Sequence, residues 1–317
     1  AAAAVFVIGT LAGCGNSSTQ TTDKTASSDA SSSGGDLVTV RDAVMTGQLD
    51  QYATEIGVWQ GIFEKYGIDL QTTEFVAGIN TIDAVVNGTA DIGMMADYAA
   101  VNRLGNTLDA TNLQIFSQIS GGQSALSGGL YVDPKYADDP KSLDGSAGFM
   151  YQEGTVTYYY ASKCIEYLGL DESKQNLINT DSSQTRLALI QKGGASAVYA
   201  NGSEAKYIEE AGWVQVATSQ EIGIQTGSYF LSTDKYISEN TDTLAKFLQA
   251  VDESTQYIND HLDESAEYLA DKLGLKAEDF KENWKNYSFE PGFSEEATTH
   301  LEDIEKWGFE HGSFPKD

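Results

Sequence analysis

Short turns rich in Gly, Ser, Thr and Asn recur where apolar runs of this chain end. They are Met45-Thr46-Gly47-Gln48, Ala77-Gly78-Ile79-Asn80, Ala96-Asp97-Tyr98, Gly121-Gly122-Gln123-Ser124, Glu153-Gly154-Thr155-Val156, Tyr199-Ala200-Asn201 and Gly227-Ser228-Tyr229. Such residues hold a molecule through backbone N–H groups, hydroxyls and amides; they do not attack it. Gly78 and Gly154-Thr155 each stand just before an expected helix, where free N–H groups suit an anion or a carbonyl. Tyr98, Tyr199 and Tyr229 offer rings for stacking or O–H donors. The candidate ligand contacts are Thr46, Gln48, Gly78, Asp97, Tyr98, Gly154, Thr155, Tyr199, Asn201 and Ser228. Gly, Ser and Asn also populate ordinary turns, so the pattern by itself leaves both roles open.

Charge divides the possible ligands. None of these turns contains Lys or Arg, while Asp97 and Glu153 lie within them. A sulfonate or nitrate would rest on neutral donors and helix termini, whereas a neutral or cationic ring suits Tyr with Asp and Glu. Asp97 has a second reading, as the cap of a helix beginning near Ala99.

Catalytic constellations are missing. The chain has no G-x-S-x-G, no G-x-x-x-x-G-K-[ST] and no H-E-x-x-H. Ser232-Thr233-Asp234-Lys235 satisfies S-x-x-K without its companion motifs. His261, His300 and His311 lie apart in the C-terminal part with no metal-ligand spacing, and read as surface or core residues. The expectation is a non-enzyme with no cofactor and no metal.

The 317 residues suggest two compact units, and 41% apolar residues suffice for proper cores. A formal net charge of −28 argues against nucleic-acid binding and suits a self-repelling monomer. Ala1 to Leu11 is uncharged, contains Val5, Phe6, Val7, Ile8 and Leu11, and is too short to span a bilayer. It runs into Leu11-Ala12-Gly13-Cys14, which resembles a bacterial lipobox with cleavage before Cys14 and lipidation of that cysteine. Residues 1–14 are accordingly read as a signal peptide entered partway along. Between Gly15 and Asp36, seven Ser, four Thr and three Gly make a flexible tether of 22 residues. The expected location is extracytoplasmic, lipid-anchored to a bacterial cell membrane. Cys164, the other cysteine, sits beside an apolar stripe and reads as a buried structural thiol.

Strands and helices alternate from Leu37 onward. Leu37-Val38-Thr39-Val40 reads as a strand, and Leu49, Tyr52, Ile56, Trp59 and Phe63 carry a helical period that Gly67 stops. A strand begins at Ile68, a helix runs through Ile82, Val85 and Val86, and Asp91-Ile92-Gly93-Met94-Met95 re-enters a strand. Repeated β-loop-α units imply parallel-rich α/β sheets with ligands beyond the strands' carboxyl ends. Ala84-Val85-Val86-Asn87-Gly88-Thr89-Ala90-Asp91-Ile92 is echoed by residues 188–198, which end Gly193-Gly194-Ala195-Ser196-Ala197-Val198. The echo falls where a duplicated second lobe would need it. The expected division is 37–129 plus 224–317 for lobe 1 and 130–223 for lobe 2. A long amphipathic helix follows Ser238, and the remaining C-terminal part reads as helical.

Gly61-Ile62-Phe63-Glu64-Lys65-Tyr66-Gly67-Ile68-Asp69-Leu70 resembles the G-F-F-x-K-x-G-L-x-V signature of nitrate/sulfonate/taurine-type solute-binding proteins of ABC importers. Asn87-Gly88-Thr89-Ala90-Asp91-Ile92-Gly93 is similar to that family's x-G-x-x-D-I-G. Pro140-Lys141-Ser142-Leu143-Asp144-Gly145, then Glu153-Gly154-Thr155, resemble its opening of the second lobe. The resemblance implies a two-lobed periplasmic-binding-protein fold of type II, with a ligand cleft between the lobes. It also implies capture of a small molecule for a membrane permease and its ATPase. Two departures stand out: Ser196 replaces an Asp, and Tyr199-Ala200-Asn201-Gly202 replaces a W-E-P that faces the cleft in relatives. Some relatives carry aromatic heterocycles such as thiamin pyrimidine precursors, the alternative ligand class. The pyrimidine-synthase branch of the family has a cysteine-rich iron motif and a cleft histidine that this chain lacks.

Overall fold

The computed structural model describes residues 37–122, 128–143, 148–285 and 287–315. Cys14 and the tether lie outside them, as do Gln123, Ser124, Asp144 and Gly145.

Among the described residues ten strands form two five-stranded sheets. The first holds β1 (Val38–Met45), β2 (Ile68–Phe75), β3 (Ile92–Ala96), β4 (Leu113–Gly122) and β10 (Thr226–Thr233), in the order β2-β1-β3-β10-β4. The second holds β5 (Gly128–Val132), β6 (Gly148–Tyr151), β7 (Asn176–Asn179), β8 (Ala197–Asn201) and β9 (Val214–Thr218), in the order β7-β6-β8-β5-β9. The two orders are the same pattern. In each sheet the first three βα strands pair in parallel, while the strand arriving from the other half, β10 or β5, runs antiparallel to both neighbours. The sheets are therefore mixed, which the sequence could not show, because periodicity carries no information on strand direction. Gly128 and Gly129 already pair with Asn201 and Ala200 in the second sheet.

In lobe one α1 (Leu49–Trp59), α2 (Ile62–Lys65), α3 (Gly78–Val86) and α4 (Asp97–Thr111) follow the strands. Lobe two contributes α5 (Val156–Tyr167), α6 (Ser183–Gln191), α7 (Gly202–Glu210) and α8 (Ser219–Ile222). The chain closes with α9 (Asp234–Glu239), α10 (Thr241–Asp260), α11 (Leu262–Leu273), α12 (Ala277–Trp284) and α13 (Glu295–Glu310). Leu49, Tyr52, Ala53 and Ile56 recur at helical spacing and put one face of α1 into the core with Phe247 and Val251 of α10. Gly57 lets these helices meet closely, since a Cβ there would collide with the Phe63 ring and Ser254 Oγ.

The single helix expected from Leu49 to Phe63 is two. Gly61 adopts φ +67 and breaks it, and Gly67 at φ +79 then ends the second piece. The internal echo occupies equivalent places: α3 passes through Gly88 (φ +71) into the third strand of sheet one, and α6 through Gly193 (φ +64) into the third strand of sheet two.

The chain leaves the first sheet after Gly122 and returns to it at Thr226. The last helix is shared. Ile304 and Trp307 of α13, with Phe314 beyond it, pack in one cluster with Tyr98 and Val101 of α4 and with Leu130, Phe149 and Tyr199 of the second sheet.

Candidate ligand cleft

Strands β1, β3 and β4 end, and β10 begins, at the same edge of the first sheet. Two cavities open there, and Ala96 and Thr226 wall both.

The first, about 460 Å³, is lined by Met45, Gln48, Met94, Ser120, Ser228 and Tyr287, among others, with no charged side chain. Ser120 Oγ and Ser228 Oγ share a hydrogen bond of 3.0 Å. The Gly47 turn is fixed from both sides: its N–H donates to Gln51 Oε1 at 2.7 Å and its carbonyl accepts from Tyr287 Oη at 3.1 Å. Burial, with Tyr52 and Asp50 nearby, pushes the Tyr287 phenol up to about 12, so it stays a neutral donor.

The second cavity, about 600 Å³, runs along α4 and reaches the second lobe. Asp97, Tyr98 and Arg103 come from α4; Thr155, Val156 and Tyr160 come from the start of α5. Thr155 caps α5, its hydroxyl accepting the Thr157 N–H, after Gly154 turns at φ +73. Burial and then the Asp97 charge hold the Tyr160 phenol well above its ordinary value. Arg103 donates from Nη2 to Asp83 Oδ1 at 2.8 Å.

Asp97 has a place that neither sequence reading describes. Helix α4 begins at Asp97 itself, so Ala96 holds the cap position and the helix does not wait until Ala99. The Asp97 carboxylate is 2% exposed. Its Oδ2 accepts from the Gly227 N–H at 2.9 Å and meets His300 Nε2 at 2.8 Å, while Oδ1 accepts the Tyr98 N–H at 2.6 Å. The donor that a buried carboxylate requires is supplied by the protein.

The structure thus brings Gln48 and Ser228 to one cavity, and Asp97, Tyr98, Gly154 and Thr155 to the other. Gly78 opens α3 and packs on Met94 and Met95, leaving its neighbour Ile79 to line the cavity. Thr46 is exposed on the turn, its N–H given to the Phe75 carbonyl. Tyr199 is buried in the second lobe, its ring 4.5 Å from that of Tyr160 and its hydroxyl bonded to Ser219. Asn201 ends β8 outside both cavities, and Tyr229 is buried in the core. Glu153 is exposed and accepts from Tyr151 Oη at 2.9 Å. Tyr160, Arg103, Ser120, Thr226 and Tyr287 escape the sequence reading. They sit inside helices or strands, or in a segment far along the chain, where no turn signal marks them.

Among the described residues no group of three His, Cys, Asp or Glu is placed to hold a metal ion, and no helix is long and apolar enough to cross a membrane. Cys164 is fully buried, which pushes its thiol up and withholds the thiolate a nucleophile needs.

The fold is that of two-lobed periplasmic binding proteins, with its cavities at the strand ends of one lobe facing the second. The chain belongs to the NMT1/THI5 like family, whose model matches residues 56–265. No curated protein sequence matches it. Among solved structures it is similar to the periplasmic aliphatic sulphonate binding protein SsuA of Escherichia coli, with TM-score 0.69 and 16% identity over 88% of this chain and 89% of that one. The alkanesulfonate-binding protein SsuA of Xanthomonas axonopodis pv. citri, bound to MOPS, gives TM-score 0.60 and 14% identity over 88% and 94%. The nitrate-binding protein NrtA of Synechocystis PCC 6803 gives TM-score 0.55 and 15% identity over 88% and 83%.

Proposed function

We propose that this chain captures a small solute outside the cytoplasm and delivers it to an ABC permease and its ATPase. The carrying observation is the pair of adjoining cavities at the strand ends of lobe one, faced by the start of α5 from lobe two. Closure of the lobes over the solute is the signal the permease reads. Lobe one comprises the first sheet with α1 to α4 and α9 to α12, and lobe two the second sheet with α5 to α8. The lipidated Cys14 and the tether of residues 15–36 keep the body, a monomer, near the membrane. The chain catalyses no reaction. The sulfonate- and nitrate-binding neighbours favour an anionic solute. The uncharged cavity beside Tyr287 favours an aromatic heterocycle, the second reading.

The ligand contacts we assign are Gln48, Ser228, Tyr98, Gly154 and Thr155, joined by Tyr160 and Thr226. Thermal-shift titration with nitrate, taurine, alkanesulfonates and aminopyrimidines tests the reading, because a solute held by the folded state raises its melting temperature. A saturable shift with one class supports it. Flat melting curves across the panel overturn it.

A further inference from the structure

We propose that His311 is a proton-operated clasp between the lobes. As an imidazolium it ties the end of α13, which packs on lobe one, to Glu172 of lobe two; loss of its proton frees lobe two to move. The inference goes beyond solute capture and depends on no particular ligand.

Both ring nitrogens of His311 face acceptors. Nδ1 lies 2.8 Å from the Trp307 carbonyl oxygen, one turn earlier on α13, and Nε2 lies 3.2 Å from Glu172 Oε1. A carbonyl and a carboxylate only accept, so each contact needs an N–H, and only the doubly protonated ring carries two. A neutral ring that keeps its Nδ1–H turns a lone pair on Glu172, and the contact becomes repulsive. The Trp307 indole stacks on the imidazole with centroids 4.3 Å apart, a face that favours a cation. Tyr158 of α5 meets the ring edge-on at 5.7 Å; burial and then Glu172 hold its phenol above its ordinary value, so it stays neutral. The other charged groups in the cavity beside His311 are Lys163 and Glu166 of α5 and Asp303, Lys306 and Glu310 of α13. Carboxylates and lysines ordinarily titrate outside about pH 5 to 8, the range in which histidine changes charge.

The rest of the joint is loosely made. That cavity, about 550 Å³, lies between α5 and α13, and Ser162 Oγ and Trp307 Nε1, from two of its lining residues, are buried without hydrogen-bond partners. Missing packing and unmet polar groups weaken an interface. Towards lobe one α13 is held firmly, since the Phe314 ring fills the space over its Gly308 and over Gly105 of α4. Its ionic ties to lobe two are Asp303 with Lys163, and His311 with Glu172. Against the effect of burial, Tyr159 and Lys163 lower Asp303, so the first tie stays ionic across the range in which the second is made and lost.

The test uses the full chain without ligand, so its outcome is separate from that of solute capture. Hydrogen exchange is followed at the end of α13 and over Glu172–Lys174, the turn after α5. Protection there, read relative to α10, should be about fivefold or more stronger at about pH 5.5 than at about pH 8. The radius of gyration from small-angle scattering should rise over the same interval. Glu172→Gln should remove the pH dependence of both readouts. His311→Lys, positive at either pH, should keep the acid behaviour under alkaline conditions. Circular dichroism checks that each variant is folded. Equal protection at both pH values overturns the clasp, and so does a pH dependence that survives Glu172→Gln. If His311→Lys behaves in acid as the parent does in alkali, the ring and not its charge holds the joint, and the proposal falls. A change in protection with an unchanged radius confines the effect to the helix end and overturns control of the lobes.

Discussion

His300 Nε2 lies 2.8 Å from Asp97 Oδ2, and both side chains are buried. One residue opens the helix that floors the cleft; the other comes from the last helix of the chain, more than two hundred residues later. One turn beyond His300, Asp303 accepts from Tyr159 Oη at 2.7 Å and Lys163 Nζ at 3.0 Å, both on α5 of the other lobe. Helix α13 therefore fastens to both lobes from one face.

Removing the Asp97 carboxylate strands its donors. Asp97→Ala is expected to cost about 3–5 kcal/mol, the range for breaking a buried pair. Asp97→Asn, which keeps an acceptor oxygen, should cost less. A double-mutant cycle with His300→Ala, followed by urea denaturation, should give a coupling of about 1–3 kcal/mol. Additive losses would show that the two residues act separately.

A buried acid pair makes stability depend on pH. Both oxygens of Asp42 and Oδ1 of Asp50 are buried without hydrogen-bond partners. Burial, and then Asp50, raise Asp42 well above the carboxylate range, and burial pushes Asp50 up to about 7. The folded state thus binds protons more tightly than the unfolded chain. Stability from this source is present at low pH and falls as pH rises from ordinary carboxylate values through about 7. Asp50→Asn, which keeps an acceptor for the Met45 N–H, should stabilise the protein at pH 8 by on the order of 2–4 kcal/mol and flatten the profile. A profile identical to the parent's would refute this.

The ring of Phe314 sits where a Cβ on Gly105 of α4, or on Gly308 of α13, would strike it. Phe314→Ala should cost about 3 kcal/mol in chemical denaturation, and Gly308→Ala about 1–3 kcal/mol. The two together should cost less than their sum, because removing the ring makes room for the new methyl group. Full additivity would mean that the ring is not what excludes the side chain.

Cys164 is expected to ignore an aromatic disulfide reagent while the chain is folded. Its labelling should follow the global unfolding transition in urea. Prompt reaction in native buffer would contradict its burial.

Local chemistry was readable directly. The periodicity of Leu49, Tyr52 and Ile56 places α1, Gly88 and Gly193 mark equivalent turns, and Thr155 caps α5, because propensity, period and turn geometry act over a few neighbouring residues. The two lobes were legible for the same reason, since βα units repeat along the chain. Strand direction in β5 and β10 was not, nor was the break at Gly61. The lining of the two cavities was legible only in the turns, which contribute Gln48, Asp97, Thr155 and Ser228. Tyr160, Arg103 and Tyr287 reach it from regular elements or from far along the chain, and Tyr199, on a cleft-facing turn by sequence, turns inward to the core. The sequence by itself determined the order of strands and helices and which turns offer donors to a ligand. The tertiary structure decided that Asp97 answers to His300, because a buried carboxylate takes its donor from whatever the fold brings within about 3 Å, and sequence distance does not enter that choice.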